Sequence, residues 1–242
     1  MNELIDFFLE PYRTASILNI LLEFTAALFG VISVFYAKKE NILVFPTGIM
    51  STGIYVYLLS QWNLYGDLII NIYYTLMSIY GWYMWSKIID STIDGTDDKQ
   101  HHIPISRTDF KDKLKAFGIF LSTSIFVIFV YRYYNVMPND LNFSESVNYA
   151  YSYMTSGSLQ KFRKITPFLD TFTTGIFFAA MWLMANKKIE NWTFWIAGNI
   201  VSIPLYFVKG YGFTGIQYSI FLILAILGYI EWKKSLDKRK LI

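Results

Sequence analysis

Three carboxamides stand inside apolar runs of this chain: Asn71 in "LIINIYYTL", Asn199 in "WIAGNIVSI" and Gln217 in "FTGIQYSIF". An amide placed in hydrocarbon must find a partner, because leaving it bare costs several kcal/mol. That partner is a neighbouring helix, water or a bound molecule. Around the amides lie Tyr73, Tyr74, Trp182 and Tyr206, whose flat faces suit a planar ring and a cationic ring most of all. Thr174 adds a hydroxyl and Asp170 a carboxylate. Such groups bind by hydrogen bonding and stacking rather than by bond-breaking chemistry. Each has a plainer use: the amides as interhelical glue, the aromatics as packing or interface anchors, and Thr173, Thr174 and Gly175 as a close helix contact. Taken singly, none decides between the two uses.

Spacing groups some of them. Asp67, Asn71, Tyr74, Ser78, Gly81 and Trp85 alternate steps of four and three, which puts them on one helical face. Thr214, Gln217, Phe221, Ala225, Gly228 and Trp232 form a similar stripe near the C-terminus. Two faces of this kind, each with an amide about one turn inside its end, are expected to converge on a ligand. Asn71 and Gln217 read as near-equivalents.

The elements that must carry these faces are membrane spans. The chain is 54% hydrophobic and 19% aromatic with only 16% charge, well below the roughly 25% charge of a soluble domain. Its apolar runs predict spans at 17–37, 41–59, 67–86, 114–134, 166–186, 192–208 and 213–232, each about the 20 residues a bilayer requires. Fifteen of the 21 Lys and Arg, counting Lys115 at the very start of the fourth span, fall in the 1/2, 3/4 and 5/6 loops and the tail "KKSLDKRK". The positive-inside rule therefore puts the C-terminus in the cytoplasm and the N-terminus outside. A net charge of +3 collected at span ends does not point to nucleic acid. The absence of cysteine excludes disulfides, thiolate metal sites and a cysteine nucleophile.

Between and beyond the spans the composition changes. Residues 1–16, which open "MNELIDFFLEPYR", carry acids and a proline unlike a signal peptide and read as an interfacial helix. Residues 87–113 form a polar, flexible cytoplasmic loop whose His101 and His102 lack a third metal ligand. Residues 135–165 form an outer, partly helical cover, and 233–242 a basic tail. Pro46 and Pro204 are expected to loosen spans 2 and 6 as hinges, although they do not align with each other.

Compared with itself, the chain repeats. "LEFTAALFGVISVFYAKKEN" (22–41) is answered by "LDTFTTGIFFAAMWLMANKKIEN" (169–191), and "GWYMW" (81–85) by "GYIEW" (228–232), at an offset of about 147 to 150. Glu23 and Asp170 fall at matching positions. Spans 1–3 (17–86) thus recur as spans 5–7 (166–232), and span 4 (114–134) between them restores direction, so the repeats are parallel. The expected fold is an all-α polytopic membrane protein of seven helices in a 3+1+3 plan, a plan of transporters with the substrate between the halves.

Four stretches, "WNLYGDLIINIYY", "YGWYMW", "KKIENWTFWIAGN" and "LYFVKGYG", resemble the PnuC family of bacterial nicotinamide riboside transporters, and the match spans nearly the whole chain except the two long loops. That family is similar in fold to the SWEET sugar facilitators. The resemblance implies uptake of nicotinamide riboside, a form of vitamin B3, across the bacterial inner membrane by facilitated diffusion with alternating access. It also implies trapping by a cytoplasmic riboside kinase that feeds NAD synthesis, and a homo-oligomer such as a trimer. Neither a cofactor nor an enzymatic activity is expected. The expected substrate-binding set is Asn71, Tyr73, Tyr74, Asp170, Thr174, Trp182, Asn199, Tyr206 and Gln217. A flat cationic ring, a carboxamide and ribose hydroxyls are what such groups hold. The alternatives are a SWEET-like sugar facilitator and an intramembrane aspartyl protease using Asp67 and Asp170. The latter lacks the GxGD signature, and its acids lie near span ends.

Overall fold

The computed structural model of the chain describes residues 13, 15–61, 65–89, 101–137, 142–154, 157–158, 162, 164–209 and 211–239. Among them are eight helices: α1 (Ile17–Lys38), α2 (Val44–Gln61), α3 (Tyr65–Ser86), α4 (Phe110–Tyr133), α5 (Phe143–Met154), α6 (Thr166–Ala185), α7 (Asn191–Lys209) and α8 (Gly212–Arg239). The interfacial helix expected at the N-terminus lies outside the described residues. Residues Ile88–Ile89 (β1) and His101–His102 (β2) pair antiparallel, so the two histidines sit in a short strand.

Sequence explains where the helices begin and end. Ser16 caps α1 by accepting from the Asn19 amide, and Asp109 caps α4 in a reciprocal box with Asp112. The α1–α2 and α6–α7 turns each contain a residue with positive φ, Glu40 at 53° and Lys187 at 50°. Pro46 falls in the first turn of α2, where no intrahelical donor is lost, so it does not act as the hinge expected. Pro204 lies inside α7.

Helices α1, α4, α6 and α8 are long and apolar enough to cross a membrane. The outward faces of three of them are oily: Phe24 and Leu28 on α1, Phe117, Ile125 and Phe129 on α4, and Ile216, Ile223 and Ile230 on α8 are all exposed. Apolar surface on this scale is covered by lipid. The chain is a multi-pass membrane protein. Helices α2, α3 and α7 are less apolar because they bring Ser51, Thr52, Asn71, Ser78, Asn199 and Ser202 to the interior.

The helices close into a ring. α1 packs on α2 and α2 on α3, α3 meets α6, α6 packs on α7 and α7 on α8, and α8 returns to α1. α4 lies outside the ring against α6, where Phe120 and Ser124 approach Gly175 so closely that a β-carbon there would collide with them.

Contacts in the ring recur 147 residues apart. Phe45 sets its edge on Trp85 (ring centres 5.0 Å, 88°), and Trp192 sets its edge on Trp232 (5.5 Å, 88°). The Trp85 indole donates to the Met184 carbonyl at 3.3 Å, and the Trp232 indole to the Ala37 carbonyl at 3.0 Å. Gly81 makes room for Phe45 as Gly228 does for Trp192. These pairs fix the offset within α3 and α8, so the counterpart of Asn71 is Tyr218 rather than Gln217.

The segment before α4 is not the free linker its polarity predicts. Ile105 is buried, the Ser106 amide donates to the Lys187 carbonyl, and the Ile189 amide donates to the Ser106 carbonyl. Arg107 with Glu190 and Lys188 with Asp112 strap it further to the α6–α7 turn.

Candidate functional site: a cavity inside the helix ring

The ring encloses a cavity of about 730 Å³, within the size range of small-molecule sites. Its inner floor is tightly packed. Val44, Met181, Met184, Trp192 and Ala225 line it and pack with Phe45, Trp85 and Trp232 in the largest apolar cluster among the described residues. At the opposite end, Asp67, Tyr131, Asp170, Lys209 and Tyr211 line the mouth.

The two sides of the cavity differ in chemistry. Helices α1, α2 and α3 present small groups and hydroxyls, among them Gly30, Ser33, Gly48, Ser51, Thr52 and Ser78. Several hydroxyls are tied to backbone: Ser33 donates to the Val44 carbonyl and Ser51 to that of Ala26, each at 2.7 Å. Thr52 bonds Thr75 at 2.7 Å. Helices α6, α7 and α8 present a continuous aromatic wall. Tyr206 stacks on Tyr218 (4.8 Å, 21°), Tyr218 touches Phe177 (6.0 Å), Phe177 stacks on Trp195 (5.2 Å, 27°), and Tyr74 of α3 closes on Trp195 at 6.4 Å.

Asn199 stands in this wall, one turn from Trp195. It is 1% exposed, and its Oδ1 is buried without a hydrogen-bond partner. A buried acceptor left open costs about 1–3 kcal/mol. The fold tolerates that cost at a position lining the cavity.

Of the nine residues expected from sequence, Asn71, Tyr74, Asp170, Thr174, Asn199, Tyr206 and Gln217 line this one cavity. Two do not. Tyr73 points across the α3–α6 contact, stacking on Phe178 at 3.7 Å and donating to its carbonyl at 3.0 Å. Trp182 packs on Ala116, Ala179 and Leu183 between α4 and α6, with the Lys115 ammonium 5.9 Å from its ring. Spacing alone cannot tell which face of α6 meets α4. Asn71 spends one donor within its helix, on the Asp67 carbonyl.

Trp195, Phe177, Tyr218 and Lys209 also line the cavity, and sequence reasoning misses them. Tyr218 is detectable as the partner of Asn71 at the offset of 147. Trp195 lies four residues before Asn199, on the same helical face.

The surroundings of the two acids differ from those of a protease dyad. Asp170 binds the Lys209 ammonium through both carboxylate oxygens, at 2.5 and 2.7 Å. No group of three or more metal-ligating side chains occurs among the described residues.

Comparison with known proteins agrees with a carrier. Residues 20–234 match the family described as nicotinamide mononucleotide transporter. Nicotinamide riboside transporter PnuC of Escherichia coli is 22% identical over 90% of this chain and 87% of its own length. The PnuC of Neisseria mucosa is 24% identical over 88% and 72%. The riboflavin/roseoflavin transporter RibM of Streptomyces davaonensis is 20% identical over 64% of this chain and 58% of its own. The crystal structure of the vitamin B3 transporter PnuC superimposes with a TM-score of 0.60 at 21% identity, covering 90% of this chain and 83% of that one. The two-sided cavity inside an oily helix ring is thus that of a transporter and not an enzyme, and the chain belongs to the PnuC, or nicotinamide mononucleotide transporter, family.

Proposed function

We propose that this protein carries nicotinamide riboside across the bacterial inner membrane by facilitated diffusion with alternating access. The observation that carries the reading is Asn199, a buried acceptor without a partner, set in an aromatic wall that faces a cavity. A carboxamide or ribose hydroxyl supplies the missing donor, and a pyridinium ring suits the faces of Trp195, Tyr206 and Tyr218. Asn71, Tyr74, Thr174 and Gln217 then serve the remaining polar atoms, while Tyr73 and Trp182 have packing roles.

The phosphorylated form is a poor fit. A phosphate brings a charge of about −1.5 to −2, whereas the cavity wall carries Glu23, Asp67 and Asp170 against Lys209, and no arginine lines it among the described residues. Cytoplasmic phosphorylation by a riboside kinase would therefore trap the cargo. The names of the E. coli and Neisseria relatives favour the riboside in the same sense.

In this proposal the seven long helices are spans in a SWEET-like 3+1+3 plan, with α1–α3 and α6–α8 as parallel repeats and α4 as the inversion helix. Contacts that recur at one offset support it. The distribution of Lys and Arg supports an outer N-terminus and a cytoplasmic tail, which makes the Asp170–Lys209 end the outer mouth. A homo-oligomer such as a trimer fits the oily outer faces.

The test is calorimetry on detergent-purified protein with nicotinamide riboside, its mononucleotide, riboflavin and glucose, for wild type and Asn199→Leu. Riboside binding alone is expected, weakened about tenfold or more by the substitution. Absence of riboside binding by the wild type would overturn the cargo, and equal binding by the variant would return Asn199 to packing.

A further inference from the structure

Lys209 ends α7 at the mouth of the cavity, and its ammonium makes two contacts of different kinds. It binds both oxygens of Asp170 at 2.5 and 2.7 Å, and it sits 5.5 Å from the centre of the Tyr206 ring. Tyr206 is backed by Tyr218 in a stack at 4.8 Å. All four residues line the cavity, and the Asp170 and Lys209 side chains are only 18% and 25% exposed. A carboxylate beside an aromatic face is a cage for a cation. In this structure the cation in the cage belongs to the protein.

We infer that Lys209 is a specificity-determining residue: a tethered cation that holds the Asp170–Tyr206 cage until a cargo cation displaces it. The inference rests on the reading of the cargo as a flat cation. A pyridinium whose ring nitrogen bears the ribose has no N–H to donate there, so it draws its stabilisation from a nearby carboxylate and from ring faces, the two things Lys209 already holds. Because the lysine is tethered, it competes at an effective concentration in the millimolar range or above. A simple cation that offers nothing else does not displace it. A cargo that also engages Asn199, deeper in the cavity, has the additional binding energy to do so.

The mouth therefore discriminates by a threshold. It attracts positive charge, since Asp67 lines the cavity within electrostatic reach of the ion pair, yet it stays closed to small cations. Neutral cargo does not compete with the lysine for the cage and is indifferent to it.

The experiment measures binding of oxidised nicotinamide riboside, its neutral dihydro form and 1-methylnicotinamide to full-length protein in detergent. The variants are Lys209→Gln, Lys209→Arg and the double variant Asp170→Asn with Lys209→Gln. Folding is checked by thermal melting, and the double variant removes both charges together, so no carboxylate is left bare. In Lys209→Gln the oxidised-over-dihydro affinity ratio is expected to rise about tenfold, and 1-methylnicotinamide to become a measurable ligand. Lys209→Arg should keep the wild-type ratio, and the double variant should lose the gain. Wild-type binding of the riboside with a ratio unchanged in Lys209→Gln, or with both forms shifted equally, would overturn the inference while leaving the cargo assignment intact. A wild type that binds no riboside would overturn both.

Discussion

Glu40 and Lys187 occupy the same place in two different hairpins, and they face each other. Each is the positive-φ residue of its turn, 147 residues from the other, and the Lys187 ammonium lies 3.8 Å from the Glu40 carboxylate. The lysine also sits 4.5 Å over the Trp85 ring, and Glu40 accepts from Ser235 at 3.1 Å. Equivalent positions of opposite charge thus meet at the closed floor of the cavity, where they join α1–α2 to α6–α7.

Glu40→Gln is expected to lower stability by about 1–3 kcal/mol, because the lysine side chain it leaves behind is only 7% exposed. Combining Glu40→Lys with Lys187→Glu should recover part of that loss, though not the contact with Trp85. Thermal melts in detergent of Glu40→Gln, Glu40→Lys, Lys187→Glu and the double variant decide it, and a double variant no better than the sum of its parts would rule out direct pairing.

The indoles of Trp85 and Trp232 should prove equal in worth. Each donates to a carbonyl across the ring, so Trp85→Phe and Trp232→Phe are each expected to cost about 1 kcal/mol. Trp192→Phe should cost less than either. Its Nε1 is buried without a partner, and Phe45 does the same packing at the matching position. The comparison needs only the three melting temperatures.

Gly81→Ala and Gly228→Ala each drive a β-carbon into a fixed aromatic ring, that of Phe45 or Trp192, and are expected to cost about 1–3 kcal/mol. Gly53→Ala meets nothing within 4 Å and should be neutral or slightly stabilising. Urea or thermal denaturation of the series would show whether the floor yields.

Trp195→Leu and Trp182→Leu separate cargo contact from packing. Trp195 lines the cavity and stacks on Phe177, so its loss should weaken riboside binding about tenfold. Trp182 lies between α4 and α6, and its loss should lower stability while leaving the dissociation constant within about twofold. A reversal of the two effects would mean that the cargo sits elsewhere.

Period and hydropathy make much of the fold readable. Three-and-four spacing locates the α3 and α8 faces that line the cavity, and the "GWYMW" and "GYIEW" echo locates the paired tryptophans. Tertiary placement is harder to read. Trp182 and Thr174 lie on the same helix, and only the docking of α4 turns one outward and leaves the other inside. Asn71 and Gln217 look equivalent because both are amides, but tryptophan contacts fix the register one residue away. Residues 103–109 look like a solvated linker because they are polar. Their backbone bonds to the α6–α7 turn leave no mark in side-chain composition.

Trp85 reaches from the first half of the ring to Met184 in the second, and Trp232 reaches from the second half to Ala37 in the first. Each half thus presents both the donor and the acceptor of the same lock. Two surfaces related in this way are self-complementary, the condition for a two-fold symmetric dimer. Residues 17–86 carry both parts of that lock, and only the charged pair breaks the symmetry, since a second copy would set Glu40 against Glu40 where Lys187 now stands; in its tryptophan contacts the ring is a homodimer written on one chain.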